Sequence, residues 1–386
     1  MKMPASKPVE RTRPDQTPPN SALEIREPVA PGSGHPVIDA DWMTRCLSEN
    51  GVDAKVATLS AQPVGTGQMA HSVRFSLGYA SDGAKGPATL IGKFPSPHER
   101  SRKSGNGESG FYQREVGFYR HLASSALIQT PRCFHASHDR ERGEFILVLE
   151  DLAPATQGDQ LAGVTVEQAL VVVKEAAKLH ASHWEDPAVD ALPWVSGSSA
   201  APVAPATGAI PGMWRGFRDR YALQIQPDAL AIGEAFFAVF DTYQRGHDGP
   251  RCLIHNDFRP DNMMFATQDG GYPVAVVDWQ TLGYGHGASD ISYFLAGALA
   301  PASRRKHEAD LLDEYYRQLT AHGVKNYAWQ QLIHDYSWHS FQLFMSAVVG
   351  AMVVRRTARG DDMFLVMLHG ATDQIITSNA LTLLET

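Results

Sequence analysis

Three cysteines in 386 residues, Cys46, Cys133 and Cys252, are too few and too widely spaced for a disulfide framework or a cysteine-based zinc site. Their apolar surroundings predict buried thiols. Long apolar runs are missing as well: the stretches 146–149 and 171–173 fall far short of the ~18–20 residues that span a bilayer, and the N-terminus lacks the apolar stretch of a signal peptide. A cytoplasmic protein with no membrane partner is the expectation. No run of Lys or Arg forms a stripe that could track a phosphate backbone, and the net charge is −8, which argues against a nucleic-acid partner. Although there are 16 histidines, no H-E-x-x-H or closely spaced His/Asp set occurs, which argues against a metal-dependent hydrolase.

What is present is core-forming material: 43% of residues are hydrophobic and 20% charged, enough for two lobes. The acid excess is uneven, with 18 Lys and Arg against 16 Asp and Glu in residues 1–150, and 16 against 26 in residues 151–386. Residues 1–36 are rich in Pro, Ser, Thr and charge without apolar periodicity, and read as a disordered tail. A short helix from Asp39 is followed by predicted strands over 55–62, 70–79 and 88–95, a helix over 111–123, and strands over 133–137 and 144–150. Beyond Thr165 the spacing turns helical. A Pro/Gly/Ser-rich insert at 194–211 interrupts it, and helices are predicted over 214–246, 289–299, 303–321, 329–349 and 362–384, with short strands near 252–254, 263–266 and 274–277. The pattern predicts an α+β protein: a strand-rich N-lobe over 37–150 and a mostly helical C-lobe over 151–386, monomeric or homodimeric.

The string His255-Asn256-Asp257-Phe258-Arg259-Pro260-Asp261-Asn262 fits H-x-D-x-x-x-x-N between two short apolar strands, and Asp278 follows the apolar run 274–277. A lone H-x-D is usually a capped turn. Four matched positions followed by a strand-end Asp suit phosphoryl transfer, which needs one carboxylate for the acceptor hydroxyl and separate oxygen ligands for Mg²⁺ against nucleotide phosphates. Asp257 would be the base, and Asn262 and Asp278 the metal ligands. His255 reads as a brace of the loop.

With Val277-Asp278-Trp279-Gln280 and Gly285-His286-Gly287-Ala288-Ser289-Asp290-Ile291, the string 253–262 resembles the aminoglycoside phosphotransferase and choline kinase superfamily, most closely its ecdysteroid-kinase-like branch. The resemblance runs from about residue 39 to the C-terminus. It implies a two-lobed protein-kinase-like fold and ATP-dependent phosphorylation of a hydroxyl on a small molecule. Asn256 stands where the family usually has Gly, which accepts φ > 0 at less cost. By resemblance Asp290 braces the catalytic loop, a plain helix cap being the alternative. Lys93 would pair with Glu115 and hold the α- and β-phosphates, and Gly65 and Gly67 would close over the phosphates with backbone N–H groups. Glu150, Asp151 and Leu152 would form the adenine-binding hinge. Arg259 would touch the transferred phosphate or serve as an ion pair, and His180 reads as a packed core residue.

Two cues about the acceptor disagree. Aromatics near 194–221 and Trp329 suit an apolar or flat alcohol, or a quaternary ammonium through cation–π contact, whereas the acid excess of the same half suits a cation. The rivals are an aminoglycoside- or choline-type kinase and a non-catalytic nucleotide-binding pseudokinase. Loss of Lys93, Asp257, Asn262 or Asp278 would have favoured the latter, and all four are present.

Overall fold

The computed structural model describes residues 37–65, 70–96, 98, 105–107, 110–196, 209–246 and 248–385. The predicted tail, Gly67 and most of the 194–211 insert lie outside the described residues. The chain opens with helix α1 (Ala40–Glu49), started by Asp39, whose carboxylate accepts the Trp42 N–H at 2.7 Å. Its Met43, Cys46 and Leu47, spaced three and four apart, cover one face of a five-stranded antiparallel sheet. The sheet comprises β1 (Val56–Val64), β2 (Ala70–Tyr79), β3 (Thr89–Pro95), β4 (Cys133–Asp139) and β5 (Glu144–Glu150), in the order β1-β2-β3-β5-β4. The apolar run of β5 is divided by the strand's period of two. Ile146 and Val148 join the α1 side, while Phe145, Leu147 and Leu149 join the inner core.

Helix α2 (Phe111–Gly117) lies on the inner face and runs directly into a π-helical turn, Phe118–Leu122, so the predicted helix 111–123 is one element of two pitches. Phe118 stacks on Trp279 of the other lobe with ring centroids 3.8 Å apart.

After β6 (Thr156–Gln157), the helical lobe begins with α3 (Val166–Ser182), opened by a Thr165/Gln168 capping box. Short helices α4 (Pro187–Asp190) and α5 (Pro193–Ser196) follow. The single helix expected over 214–246 is three: α6 (Ile210–Arg220), α7 (Pro227–Ala238) and α8 (Phe240–Arg245). Pro227, which has no N–H to give a preceding turn, starts a new helix at its N-terminus. The small strands β7 (Cys252–Ile254), β8 (Met263–Thr267), β9 (Gly270–Val276) and β10 (Gly283–Gly285) form two sheets, β6-β8-β9 and β10-β7. Then come α9 (Gly287–Ala298), α10 (Pro301–Ala321), α11 (Trp329–Trp338), α12 (Ser340–Val353) and α13 (Ala358–Thr377). The helix expected over 329–349 is broken at His339, whose ψ of 0° turns the axis. The last helix starts four residues before the predicted 362, where the Thr357 side chain caps the Gly360 N–H at 3.0 Å. No helix among the described residues is long and apolar enough to cross a membrane.

Candidate active site

The loop between β7 and β8 carries Asp257 and Asn262, and the residues just after β9 carry Asp278. Because β8 and β9 form a hairpin with Met263 opposite Val276, the end of one loop meets the start of the other. A Val277 N–H bond to the Asn262 carbonyl at 3.0 Å fixes that approach. His255 braces both. Its Nε2 lies 3.0 Å from the Val277 carbonyl, which can only accept, so Nε2 carries the proton; Nδ1 then accepts the Asp257 N–H at 3.3 Å. The imidazole is fully buried.

Asn256 has φ 66°, so the left-handed turn that Gly would take at less cost is made by Asn, one of the few residues to enter that region readily. Asp290 holds this turn. Its carboxylate accepts the His255 N–H at 2.7 Å and the Asn256 N–H at 2.9 Å, while His180 Nε2 lies 3.3 Å away. Asp290 sits inside α9, whose N-cap is His286, so the brace is what the structure has and the cap is not. His180 is buried, with Nδ1 2.7 Å from the Tyr315 hydroxyl.

Asp257 is enclosed by donors. Oδ1 accepts from Arg259 Nε at 2.9 Å and the Tyr293 hydroxyl at 3.3 Å, and Oδ2 from Asn262 Nδ2 at 2.8 Å. Burial alone would raise this carboxyl, but the guanidinium, His255 and the Asn262 amide together hold it below its ordinary value. It stays a carboxylate. Arg259 also binds Asp261 Oδ2 at 2.5 Å and lies 3.3 Å from Met363 Sδ, so its guanidinium rests in an ion-pair network.

From the small lobe, β3 presents Lys93. Leu90, Gly92 and Phe94 face the sheet's buried side, where a Cβ on Gly92 would sit 2.4 Å from the Phe75 ring, and Lys93 faces the opposite way. Its ammonium donates to Glu115 Oε1 of α2 and to Asp278 Oδ1, each at 2.7 Å, linking the lobes. Burial pushes the Glu115 carboxyl up to about 7, with Asp278 adding to the rise and Lys93 opposing it. Burial would lower Lys93, but the two carboxylates outweigh it and raise its pKa.

Asp278 adopts φ 66° and ψ 63°, a strained conformation for Asp that turns its side chain back toward Lys93. Asn262 and Asp278 offer hard oxygen donors, which fit a Mg²⁺ ion. Among the described residues no cluster of three or more His, Cys, Asp or Glu is arranged to hold a metal ion.

Elsewhere, Asp151 pairs with Arg74 at 2.6 and 3.2 Å, and Glu150 accepts the Arg132 N–H at 3.0 Å. These bonds fix the strand end at the predicted hinge, and Leu152 is buried there. Gly65 has φ 73° with nothing within 4 Å of a Cβ, an open turn.

Sequence reasoning missed Tyr293, Arg359 and Met363. Tyr293 was within reach: it lies one helical turn after Asp290 on α9, so a helix that braces the loop with one also brings the other to it. Arg359 and Met363 come from α13, about a hundred positions after the loop, and no motif connects them.

The two-lobed arrangement, an antiparallel sheet over a helical lobe with the loop side chains at their junction, is that of kinase-like enzymes. The chain belongs to the phosphotransferase enzyme family, whose model matches residues 83–331, and it is a small-molecule kinase with an alcohol group as acceptor. No curated protein sequence matches it. Among solved structures, it is similar to a microcompartment-associated aminopropanol kinase, at 10% identity and TM-score 0.51 over 88% of this chain and 98% of that one. A Ralstonia eutropha protein assigned by name to the aminoglycoside phosphotransferases shares 15% identity at TM-score 0.50, over 87% and 98% of the respective chains.

Proposed function

We propose that this enzyme uses ATP and Mg²⁺ to phosphorylate a hydroxyl of a small molecule, with residues 37–150 gripping the nucleotide and 151–386 presenting the acceptor. We further propose, on the motif resemblance, that it lies in the ecdysteroid-kinase-like branch. The convergence of Lys93, Asn262, Asp278 and Asp257 from both lobes on one junction is the observation that carries the function.

Lys93 would hold the nucleotide's α- and β-phosphates, steadied by Glu115. Asn262 and Asp278 would hold Mg²⁺, which when bound neutralises phosphate charge as it builds. Asp257 accepts a hydrogen bond from the acceptor hydroxyl and aims its oxygen at the γ-phosphorus. As the new O–P bond forms, the bond from the γ-phosphorus to the bridging oxygen of ADP breaks, and the hydroxyl proton passes to Asp257. A carboxylate held below its ordinary pKa is a weak base, which suits a loose transition state where the proton leaves late and positioning dominates. Arg259, tied to Asp257, acts in this reading by fixing the base.

The test is acceptor-stimulated ADP release with a panel of alcohols, sterols, amino alcohols and aminoglycosides. Turnover should need Mg²⁺ and should fall at least ~100-fold in Asp278→Ala. Undiminished turnover in that variant removes Asp278 from the site.

A further inference from the structure

Resting on the phosphotransferase reading, we propose that the acceptor is an uncharged alcohol with an apolar flank, and that Arg359 and Met363 select it over cationic amino alcohols and aminosugars. The acids linked to the base through arginine are already engaged. Arg259 joins Asp257, at 2.9 Å, to Asp261, at 2.5 Å. Arg359 joins Asp261, at 3.0 Å, to Asp159, at 2.6 Å. Asp261 further accepts the Gln160 N–H at 3.0 Å, and Asp159 the Leu161 N–H at 3.0 Å.

One guanidinium thus ties three segments far apart in sequence: the stretch after the hinge, the catalytic loop and α13. Of three carboxylates and two guanidiniums, the charge left over equals that of the base itself, which takes the hydroxyl proton. An ammonium docking beside Asp257 would have to displace an arginine or lie against one, and either raises its KM. A further anion gains nothing, because both guanidiniums are occupied.

An apolar side chain borders this network. Met363 lies one turn after Arg359, with Sδ 3.3 Å from Arg259 Nη1, and, like Met213 and Met352, it packs against the core of the helical lobe. A flexible thioether against the arginine that holds the base suits a hydrocarbon surface. From sequence the acid excess of this half suits a cationic acceptor, yet the acids in the network that reaches the base are bound up in ion pairs. The family match ends at residue 331, ahead of α13, so Arg359 and Met363 lie outside the matched stretch.

The experiment measures kcat/KM for matched pairs of uncharged alcohols and their amino analogues, with Mg·ATP saturating and Mg·ATP-induced melting shifts recorded on the same samples. Uncharged members should lead by about 10-fold or more. Arg359→Gln, at an exposed position, should cut that lead about 10-fold by lowering KM for the amines, whereas Arg359→Lys should keep most of it. Met363→Gln should raise KM for apolar alcohols several-fold and leave KM for ATP unchanged.

A wild-type preference for the amines, or an Arg359→Gln ratio equal to wild type, overturns the proposal. So does absence of turnover on every uncharged member. A melting shift with Mg·ATP alongside an amine preference overturns the acceptor class alone; neither shift nor turnover takes the phosphotransferase reading with it.

Discussion

Asp257 illustrates how a side chain's neighbours determine what kind of base it can be. Burial would raise its carboxyl, but Arg259 on Oδ1, His255 and Asn262 on Oδ2 hold it below the ordinary value near 3.8, and the Tyr293 hydroxyl also donates to Oδ1. A depressed carboxyl stabilises the fold above the unfolded pKa, and that contribution is lost as pH falls through the folded one. The acid limb of kcat/KM should therefore lie below the usual carboxylate range. Asp257→Asn should lower turnover ~10²–10⁴-fold while ATP affinity holds, and cost about 1–2 kcal/mol of stability because Arg259 keeps only Asp261 as an acidic partner. Retained turnover would make Asp257 a turn cap. Tyr293→Phe tests the cage: losing a donor to Oδ1 should raise the acid limb toward the ordinary value and lower kcat about 10-fold. An unmoved limb would leave Tyr293 a packing residue.

At the scale of elements, the site depends on how closely α9 and α13 approach, since one carries Asp290 and Tyr293 and the other Arg359 and Met363. Gly370 sets that distance: a Cβ there would sit 2.1 Å from the Ala296 carbonyl, which is backbone and cannot yield by rotating. Gly370→Ala should cost roughly 1–3 kcal/mol, read as a lower denaturation midpoint, and should lower turnover more than ATP affinity. Unchanged stability would mean that the helices slide apart freely.

The same elements explain what the sequence carried. Helix α1 and strand β3 were legible because their period-3.6 and period-two patterns each record one buried face. The candidates Asp257 and Asn262 were legible because they stand five residues apart on one short loop, and Asp278 because it closes an apolar run. The break at His339 was not, since Trp329–Trp338 and Ser340–Val353 are both apolar enough to read as one helix. The Arg359 strap was not either, because salt bridges between distant segments leave no periodic trace.

At the scale of the whole molecule, the lobes are joined where Lys93 of the sheet meets Glu115 of α2 and Asp278 of the helical lobe, and where Phe118 stacks on Trp279. One ammonium between two carboxylates leaves an excess negative charge, and Glu115, only 2% exposed, bears the cost of burial and is pushed up to about 7. The sign follows from linkage. The folded state keeps a proton that the unfolded chain releases above its ordinary value of 4.5, so this group's stabilisation is complete below 4.5 and is lost as pH rises through about 7. Without nucleotide, stability should therefore decline over that window, and Glu115→Gln, which cannot titrate, should flatten that part of the curve. Saturating Mg·ATP should raise stability at every pH, by ~2.7 kcal/mol at a hundred times its dissociation constant. It should also reduce the pH slope if Mg²⁺ engages Asp278, because the charge that opposes Glu115 ionisation is then neutralised. Melting curves from pH 5 to 8, with and without Mg·ATP, for wild type and Glu115→Gln, read all three effects. An identical slope in both proteins would detach Glu115 from the lobe junction's electrostatics, and a slope that Mg·ATP leaves untouched would detach Asp278 from the metal.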